Sequence, residues 1–562
     1  MTSSLTAPGS MFEMAVEDVL GVPTKVFRHA PPTALAIWEM TAAHGDKPFL
    51  VYEDERYSFA EARRIVAGLA SRLAESYEIR PGDRVAIAMR NYPEWALAFW
   101  AAVLAGAVVV PLNAWWTGPE LAYGLSDSGS VVLFADDERL ERLAPLLSGT
   151  PVRTVIAARA GAAVPASVER FEDIVDRNFA GAPPSITVEP DDDVTIMYTS
   201  GTTGKPKGAV GTHRNLGAFL MNGMYAGAAA AAAAAENAPA GDGAPVAAPP
   251  SPATLLTFPL FHVGGLQSHL IPYAAFGGKI VLLYKWDAAK ALELVEREGV
   301  TSIAGVPTTV FQLLDEAQQQ GRDLGTLGGV ASGATLVPPE LVRRIDSQFK
   351  SRVSPANGYG LTETSGAAVA NSGTTYVSRP DSVGLPIAPV MEVRIADESG
   401  EPLEPGAVGE IWLKGPTVVR GYFNNEEATA ASFTDGWFHT GDLGRVDDDG
   451  FLYVVDRLKD VVIRGGENIY AAEVEAALYE HPGVGEAAIV GLPDEKLGEQ
   501  VVAVVRRRPG TALTETELRN HVATRLAAFK VPSMIVFRDD ELPRNAAGKV
   551  LKRQLKDELA GS

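Results

Sequence analysis

The amino-acid sequence predicts an α/β protein in which parallel strands alternate with helices. Short apolar runs at residues 85–89 and 131–135 read as buried strands, and segments with helical spacing lie between them. From residue 279 onward the alternation is regular, with strands at residues 279–284 and 301–304 on either side of a helix at residues 288–298. Repeated βα winding of this kind is the usual frame for a site at the carboxyl ends of the strands.

The length of the chain predicts more than one domain, because 562 residues are too many for a single hydrophobic core. Short strands joined by turns between residues 393 and 455 indicate a β subdomain that is appended to the α/β layers. The pattern changes again near residue 456. We therefore expect a large N-terminal domain of residues 1–458 and a small C-terminal α+β domain of residues 459–562. Residues 226–252 are almost entirely Ala, Gly and Pro, which indicates a surface insertion.

Composition and charge exclude several classes of protein. The net charge of −21 argues against a nucleic-acid binder, which would carry a basic patch. The absence of cysteine excludes disulfides, thiolate metal sites and a cysteine nucleophile. No signal peptide is visible, and the apolar run at residues 95–112 is interrupted by Gly106 and Pro111, which favours a buried helix and strand over a membrane span. We expect a cytoplasmic protein without a transmembrane segment; peripheral membrane contact remains open.

A glycine-rich stretch at residues 199–208 is the first candidate for a binding site. It follows an apolar strand-like run and contains three glycines, four hydroxyl side chains and two lysines, with no carboxylate. Glycine lets the backbone approach a ligand closely, and successive N–H groups form a concavity for anions. We interpret the stretch as a loop that holds a polyphosphate; a surface hairpin is the alternative. The common nucleotide loop is absent, because Thr199 replaces its first glycine and Pro206 follows the lysine.

Two further clusters carry carboxylates. Residues 358–364 (GYGLTET) combine an aromatic ring, hydroxyls and Glu363 on what we predict to be a glycine-flexed turn. A carboxylate beside a polyphosphate is a natural Mg²⁺ ligand, although a solvated glutamate on a structural turn is equally consistent. Residues 439–442 (HTGD) predict a tight polar turn on which Asp442 could accept hydrogen bonds from a ribose diol.

The last two clusters contain a basic segment and a histidine. Residues 544–549 (RNAAGK) form a locally basic segment in an acidic chain, which indicates either an anion site or a solvated basic helix. Residues 258–265 (FPLFHVGG) place His262 in an apolar, glycine-rich bend, where a histidine packed in the core is the simpler interpretation.

In combination and in this order, the clusters resemble the AMP-forming acyl-CoA synthetases of the adenylate-forming superfamily, which also includes luciferases and peptide-synthetase adenylation domains. The resemblance covers nearly the whole chain. Residues 198–208 resemble the family's phosphate loop, residues 358–364 its Tyr-Gly-x-Thr-Glu motif and residues 440–442 its ribose motif. Residues 456–459 resemble its hinge, and residues 543–549 resemble the segment with the catalytic lysine. No departure is visible at these positions.

The resemblance implies ATP, Mg²⁺ and coenzyme A as ligands and a small carboxylic acid as substrate, with Lys549, Glu363, Thr199 and His262 as catalytic positions and Glu363 as the metal ligand. The implied nucleotide- and CoA-binding positions are Thr199, Ser200, Gly201, Thr202, Thr203, Gly204, Lys205, Lys207, Gly333, Ala334, Thr335, Gly358, Tyr359, Gly360, Thr362, Asp442, Arg457, Lys459, Gly465, Gly466 and Lys549.

The family's reaction has two steps. The carboxylate first attacks the α-phosphorus of ATP to give an acyl-adenylate and pyrophosphate, and the thiol of coenzyme A then displaces AMP. The resemblance implies that Lys549 bridges the carboxylate and the α-phosphate, that Asp442 and Arg457 hold the ribose, and that Tyr359 packs on the adenine. It also implies a mobile C-terminal domain that rotates about Lys459 between the steps, which brings Gly466 to the pantetheine tunnel.

The identity of the acid is inferred from the residues around His262 and from four glycines. Apolar neighbours of His262, and the space that glycines 264, 265, 358 and 360 would leave, suggest a hydrophobic acid. We expect a medium- or long-chain fatty acid, with an aryl or arylalkanoic acid as the alternative. An enzyme that loads a carrier protein, and a catalytically silent relative that binds the same ligands, are also consistent with the motifs. A homo-oligomer is possible.

Overall fold

The computed structural model describes residues 2–161, 164–199, 205–237, 251–335, 337–508, 510–545 and 548–560. The predicted loop residues Ser200, Gly201, Thr202, Thr203 and Gly204 lie outside the described part of the chain, as do residues 238–250 of the insertion. The first part of the insertion continues a long helix, His213–Asn237.

Two large sheets form most of the N-terminal domain. The first has seven strands: β5 (Arg84–Ala88), β6 (Val108–Pro111), β7 (Val132–Asp136), β8 (Thr154–Ala158), β9 (Val168–Arg170), β10 (Asp193–Thr199) and β11 (Lys207–Thr212). The second has nine strands: β3 (Pro48–Tyr52), β4 (Glu55–Ser58), β12 (Ala253–Leu256), β13 (Lys279–Leu282), β14 (Ser302–Gly305), β15 (Gly329–Gly333), β16 (Ser354–Leu361), β17 (Gly366–Ser372) and β18 (Leu385–Pro386). Their spatial orders are 11-10-6-5-7-8-9 and 18-17-16-15-14-12-13-3-4, and the central neighbours are parallel.

Three smaller sheets complete the described part of the chain. An N-terminal hairpin pairs β1 (Met14–Val19) with β2 (Val22–Phe27). The β subdomain contains β19 (Glu392–Ala396), β20 (Gly409–Lys414), β21 (Phe433–Thr434), β22 (Trp437–Val446) and β23 (Leu452–Arg457). The C-terminal domain contains β24 (Val462–Arg464), β25 (Glu467–Ile469), β26 (Val484–Asp494), β27 (Gly498–Arg507) and β28 (Met534–Arg538). The predicted α/β class, with a large N-terminal and a smaller C-terminal domain, is confirmed.

Helices cover the faces of the sheets. Those of the N-terminal domain are α1 (Thr2–Leu5), α2 (Ala34–Met40), α3 (Phe59–Glu75), α4 (Pro93–Leu104), α5 (Gly118–Ser128), α6 (Asp137–Leu143), α7 (Phe171–Ile174), α8 (His213–Asn237), α9 (Val263–Gly265), α10 (Ile271–Phe276), α11 (Ala288–Arg297), α12 (Pro307–Gln319), α13 (Pro339–Phe349), α14 (Gly373–Ser378) and α15 (Glu426–Ser432). Those of the C-terminal domain are α16 (Ala471–Tyr479), α17 (Glu515–Ala523) and α18 (Lys552–Ala560).

The apolar run at residues 95–112 is a buried helix and strand, as predicted. Every residue of α4 is buried, and β6 lies in the centre of the seven-stranded sheet. Within the described part of the chain, one helix is long and apolar enough to qualify as a membrane span by length and composition, namely His213–Ala233. Leu216, Leu220 and Met221 in the first half of that helix are buried in the domain.

Candidate functional site

Glu363 lies in a buried corner where three segments of the N-terminal domain meet. Its Oε1 accepts a hydrogen bond from the Tyr422 hydroxyl at 2.8 Å, and Lys207 Nζ lies 4.3 Å from the centre of the Tyr422 ring. The carboxylate is therefore within a short distance of the second arm of the glycine-rich loop. Burial first, and then the charge of Glu363, raise the pKa of Tyr422, so that its hydroxyl stays protonated as a donor.

The two arms of the glycine-rich loop are adjacent strands. Thr199 ends β10 and pairs with Lys207 at the start of β11, and the Thr199 hydroxyl is 3.4 Å from the Lys207 carbonyl oxygen. Lys205 is exposed, with its Nζ 5.2 Å from the centre of the Tyr123 ring. The loop therefore presents its lysines at the open end of an antiparallel pair.

Asp442, Tyr359 and Arg457 form a second polar group. Asp442 Oδ2 accepts a hydrogen bond from the Tyr359 hydroxyl at 2.9 Å, and its Oδ1 lies 3.3 Å from Arg457 Nε. Asp442 is buried, and Arg457 is directly opposite it in the pairing of β22 with β23. An Asp–Tyr–Arg group of this kind presents one carboxylate and one guanidinium to a ligand.

The predicted turns around these residues are wrong in detail. Residues 439–442 belong to the long strand β22, and the register between β20 and β22 shifts there, with Gly441 at φ +69°. Residues 358–361 likewise belong to β16, and the short turn of 3₁₀-helix begins only at Thr362. A bulge changes the direction of a side chain without ending the strand. A short polar pattern at a bulge can therefore be mistaken for a turn when only the sequence is considered.

The carboxyl ends of β15 and β16 adjoin this group. Gly333 pairs with Gly358, and Ala334 follows at φ +65°, a left-handed conformation that costs a non-glycine residue about 1 kcal/mol. The buried Ser332 hydroxyl has no hydrogen-bond partner among the described residues. Thr335 follows the strained residue directly. Strain and an unpaired hydroxyl at one strand end are typical of a ligand site.

Lys549 reaches the same region from the C-terminal domain. Its backbone N–H donates to Asn545 Oδ1 at 2.9 Å, and Arg544 Nη1 donates to the Gly548 carbonyl at 2.8 Å, which closes a compact hairpin. Burial first, and then the charges of Arg457 and Lys459, lower the pKa of Lys549 to about 8 against the opposite effects of Asp442 and Glu363. The ammonium thus lies among the charges of both polar groups.

His262 lies on the apolar side of this centre. Its Nδ1 accepts a hydrogen bond from Gly264 N at 3.2 Å, and it caps the short helix α9. Burial, together with the charge of Lys549, lowers the pKa of His262 to about 4. The imidazole is therefore neutral near pH 7, with its proton on Nε2.

The glycines around His262 do not leave room for a ligand in the way the sequence suggested. A Cβ at Gly265 would lie 2.1 Å from the Pro259 carbonyl oxygen, and one at Gly360 would lie 1.9 Å from the Gly366 oxygen. At Gly264 and Gly358 an added Cβ would lie 3.0 Å from a neighbouring side chain. Gly265 and Gly360 permit close packing of backbone segments, and Gly264 and Gly358 lie against side chains, so the argument from free space is wrong.

Two implied positions lie away from this centre. Gly465 and Gly466 form the exposed turn between β24 and β25, at φ +63° and +84°. No hydrogen bond or ion pair among the described residues joins this turn to Glu363, Asp442 or Lys549. Lys459 is exposed but near enough for its charge to act on Lys549.

Glu363 suits a Mg²⁺ ion that is shared with phosphates. No group of three or more His, Cys, Asp or Glu side chains in the described part of the chain could form an all-protein metal site. Mg²⁺ is commonly held by one or two carboxylates with substrate phosphates and water. A single buried carboxylate beside a loop with two lysines fits that arrangement.

Three contributors are not among the implied site positions: Tyr422, which links Lys207 to Glu363, and Arg544 and Asn545, which shape the Lys549 hairpin. Arg544 and Asn545 belong to the basic segment at residues 544–549 and lie four residues before Gly548 and Lys549, respectively, which is a usable signal. Nothing local distinguishes Tyr422 from other tyrosines.

Comparison with known proteins agrees with this geometry. The family model of the AMP-binding enzyme matches residues 37–423, and that of the AMP-binding enzyme C-terminal domain matches residues 473–549. A feruloyl-CoA synthase from Amycolatopsis sp. is 38% identical over 500 residues, which cover 89% of this chain and 93% of the relative. An indoleacetate–CoA ligase from Aromatoleum aromaticum is 34% identical over 514 residues, which cover 92% and 95%.

A solved structure supports the same assignment. The o-succinylbenzoate coenzyme A synthetase from Bacillus subtilis, in complex with ATP and a magnesium ion, superimposes with a TM-score of 0.74 at 32% identity. The match covers 93% of this chain and 99% of that structure. The chain therefore belongs to the family of AMP-binding enzymes and is an ATP-dependent acyl- or aryl-CoA ligase, an acid–thiol ligase that uses ATP, Mg²⁺ and coenzyme A.

Proposed function

We propose that the enzyme converts an aromatic carboxylic acid, with the ring on a short side chain, to its CoA thioester. The observation that carries this proposal is a floor of very small residues on one face of the nine-stranded sheet. Ala304, Ala331 and Ala356 lie side by side on β14, β15 and β16. Two residues further along β15 and β16, on the same face, Gly333 pairs with Gly358. All five are partly exposed inside the domain.

The floor lies on one face of the sheet, and different residues mark its two ends. Ile303 and Val330 point to the opposite, fully packed face. At the nucleotide end lie Gly333 and Gly358; at the other end the Tyr273 hydroxyl and Ser302 Oγ are 2.6 Å apart. Ser302 and Gly333 are four residues apart in register, which corresponds to about 13 Å at a rise of about 3.3 Å per residue.

A flat floor of Ala and Gly, closed after that distance by a polar pair, suits a planar ring on a short chain. An extended long-chain fatty acid would exceed it. Two relatives act on acids of the ring-bearing kind, as their names state: a feruloyl-CoA synthase and an indoleacetate–CoA ligase. Both considerations favour an aryl or arylalkanoic acid over the fatty acid expected from the sequence.

The reaction that we propose proceeds through an acyl-adenylate. Lys549 neutralises the two anions as the substrate carboxylate attacks the α-phosphorus of ATP, and pyrophosphate leaves against Lys205, Lys207 and the rest of the glycine-rich loop. When bound at Glu363, Mg²⁺ supplies positive charge to the phosphates. The catalytic contribution of this chain is thus positioning and electrostatic stabilisation, with no proton to remove from the acid.

The remaining roles are assigned on the same basis. Asp442 and Arg457 bind the ribose, Tyr359 packs against the adenine, and Thr362 with Thr199 donates hydrogen bonds to phosphate oxygens. His262, which is neutral, forms the wall between the acid and Lys549. For the second step we propose that the domain of residues 459–562 turns about Lys459, so that Gly465 and Gly466 line the path of the CoA thiol.

The acid is tested by measuring thioester formation with cinnamic, 4-hydroxycinnamic, indoleacetic, octanoic and hexadecanoic acids under identical conditions. We expect kcat/KM for the best aryl acid to exceed that for hexadecanoic acid at least tenfold. Ala331→Leu, which fills the floor, should raise KM for the aryl acid and leave KM for ATP unchanged. A preference for hexadecanoic acid, or no effect of Ala331→Leu on the acid, would refute the aryl assignment.

A further inference from the structure

Lys552 belongs to a largely buried cluster of charges near the boundary between the two domains. It begins α18, three residues after Lys549, and its Nζ is 2.8 Å from Glu475 Oε1 on α16. Burial acts to lower the pKa of Lys552. The carboxylates of Glu475, Asp460 and Asp456 outweigh that effect and together raise the pKa above its ordinary value. The ammonium therefore pairs with Glu475 and lies within electrostatic reach of Asp456 and Asp460.

The three carboxylates come from different parts of the chain. Asp456 is a buried residue of β23 in the N-terminal domain, Asp460 lies in the hinge, and Glu475 lies in the C-terminal domain. Asp456 Oδ1 accepts from Arg457 N at 2.7 Å, and its Oδ2 is 3.4 Å from Ala472 N at the start of α16. The cluster thus spans the hinge from one domain to the other.

We propose that Lys552 is a positioning residue for Lys549, because its ammonium pairs with Glu475 on α16, the helix whose first turn contacts Asp456 on the last strand of the N-terminal domain. Only Val550 and Leu551 separate the two lysines. The arrangement with Lys549 in the site is thereby stabilised relative to any arrangement in which the C-terminal domain has turned away. This inference rests on the proposed two-step reaction but not on the identity of the acid.

The energetic reason is the cost of a buried charge without a partner. Removal of the ammonium breaks the pair with Glu475 and takes a nearby positive charge from the buried Asp456, and one-sided removal of a buried ion pair is more damaging than loss of an exposed pair. Turning the C-terminal domain away would expose Asp456 to water. Loss of Lys552 therefore shifts the population away from the arrangement that adenylates.

The test uses the full-length enzyme and measures the two half-reactions separately. For Lys552→Met we expect ATP–pyrophosphate exchange to fall roughly tenfold, mainly in kcat, while conversion of supplied acyl-adenylate and CoA to thioester is retained. Lys552→Arg should restore most of the exchange. Asp456→Asn should give the same selective loss, and the double variant should be no worse than either single one.

Lys556→Met is the matched control, because Lys556 lies one turn later on α18 and pairs with Glu499 on a more exposed surface. It should leave both half-reactions unchanged. Unchanged exchange in Lys552→Met would overturn the inference, as would parallel loss of both half-reactions with a lowered Tm in Lys552→Met and Glu475→Gln. If the wild-type enzyme itself lacked exchange, the proposed reaction would fail instead.

Discussion

Two regions of the proposed site are built in different ways. The nucleotide side contains Glu363 and Asp442 of the N-terminal domain, and the lysine arm is the C-terminal segment that carries Lys549. On the nucleotide side each candidate carboxylate accepts a hydrogen bond from a phenol, Glu363 from Tyr422 at 2.8 Å and Asp442 from Tyr359 at 2.9 Å. Among the hydrogen bonds of the described residues, none involves the Lys549 ammonium. The first region lies within one domain, whereas the position of the second depends on where the other domain lies.

This difference indicates which substitutions should change one function of the site without abolishing the other function. Charges that are fixed before the substrate binds cost no reorganisation during the reaction. A lysine on a separate domain can leave the site once its step is complete. We therefore expect substitutions in the lysine arm to separate the two half-reactions, and substitutions on the nucleotide side to change ligand binding.

The largest effect is expected for Lys549→Ala. Loss of this ammonium should lower ATP–pyrophosphate exchange by about 10²- to 10³-fold, the range for removal of one key electrostatic contact. Thioester formation from supplied acyl-adenylate and CoA should stay near the wild-type rate. Both rates are measured on one preparation, and an equal loss of the two would contradict the division of labour.

Gly548→Ala should also act on the first half-reaction. Gly548 has φ +80°, and a Cβ there would lie 3.0 Å from the Val306 side chain of the N-terminal domain. We expect exchange to fall about tenfold, since both the strain and the contact displace Lys549.

Gly510 provides a matched control for that substitution. It lies in the C-terminal domain with the same φ of +80°, and no atom lies within 4 Å of its Cβ position. Gly510→Ala should therefore carry the backbone strain without the contact and leave exchange nearly unchanged. An equal fall in both variants would show that strain in the C-terminal domain, and not contact with Val306, is responsible.

The pH dependence of the first half-reaction should follow Lys549. Burial lowers its pKa to about 8, and the charged form is the one that attracts the carboxylate and the phosphate. Exchange should therefore be high below pH 8 and decline as the pH rises through that value. The thioester half-reaction, measured from acyl-adenylate, should lack this decline. In Lys549→Arg the residual exchange should also lack it, because a guanidinium stays protonated.

The sequence points to candidate site residues more readily than to their surroundings. Glu363, Asp442 and Lys549 stand out because each lies in a short motif of polar and glycine residues. The helix α3 was equally visible, because Ser58 and Glu61 form a local capping pattern, and the Ser58 hydroxyl does accept from Glu61 N.

What could not be predicted depends on residues far apart in the chain. Tyr422 is 59 positions from Glu363, and Tyr359 is 83 positions from Asp442. A hydrogen bond over such a separation leaves no period or spacing in the sequence. The glycines at positions 265 and 360 suggest free space in the sequence, because the backbone that packs against them is not visible locally.

The smallest effects are expected for the two phenols, and they sharpen the comparison within the nucleotide side. Tyr422→Phe removes one hydrogen bond from Glu363, and we expect the Mg²⁺ concentration needed for half-maximal exchange to rise about fivefold, which corresponds to about 1 kcal/mol. Tyr359→Phe removes the matching bond from Asp442 and should instead raise KM for ATP by a similar factor, with the Mg²⁺ dependence unchanged. Titrations of Mg²⁺ and ATP on both variants separate the two. If both variants changed the same parameter, Glu363 and Asp442 would not serve separate ligands, and the assignment of metal to one and ribose to the other would have to be abandoned.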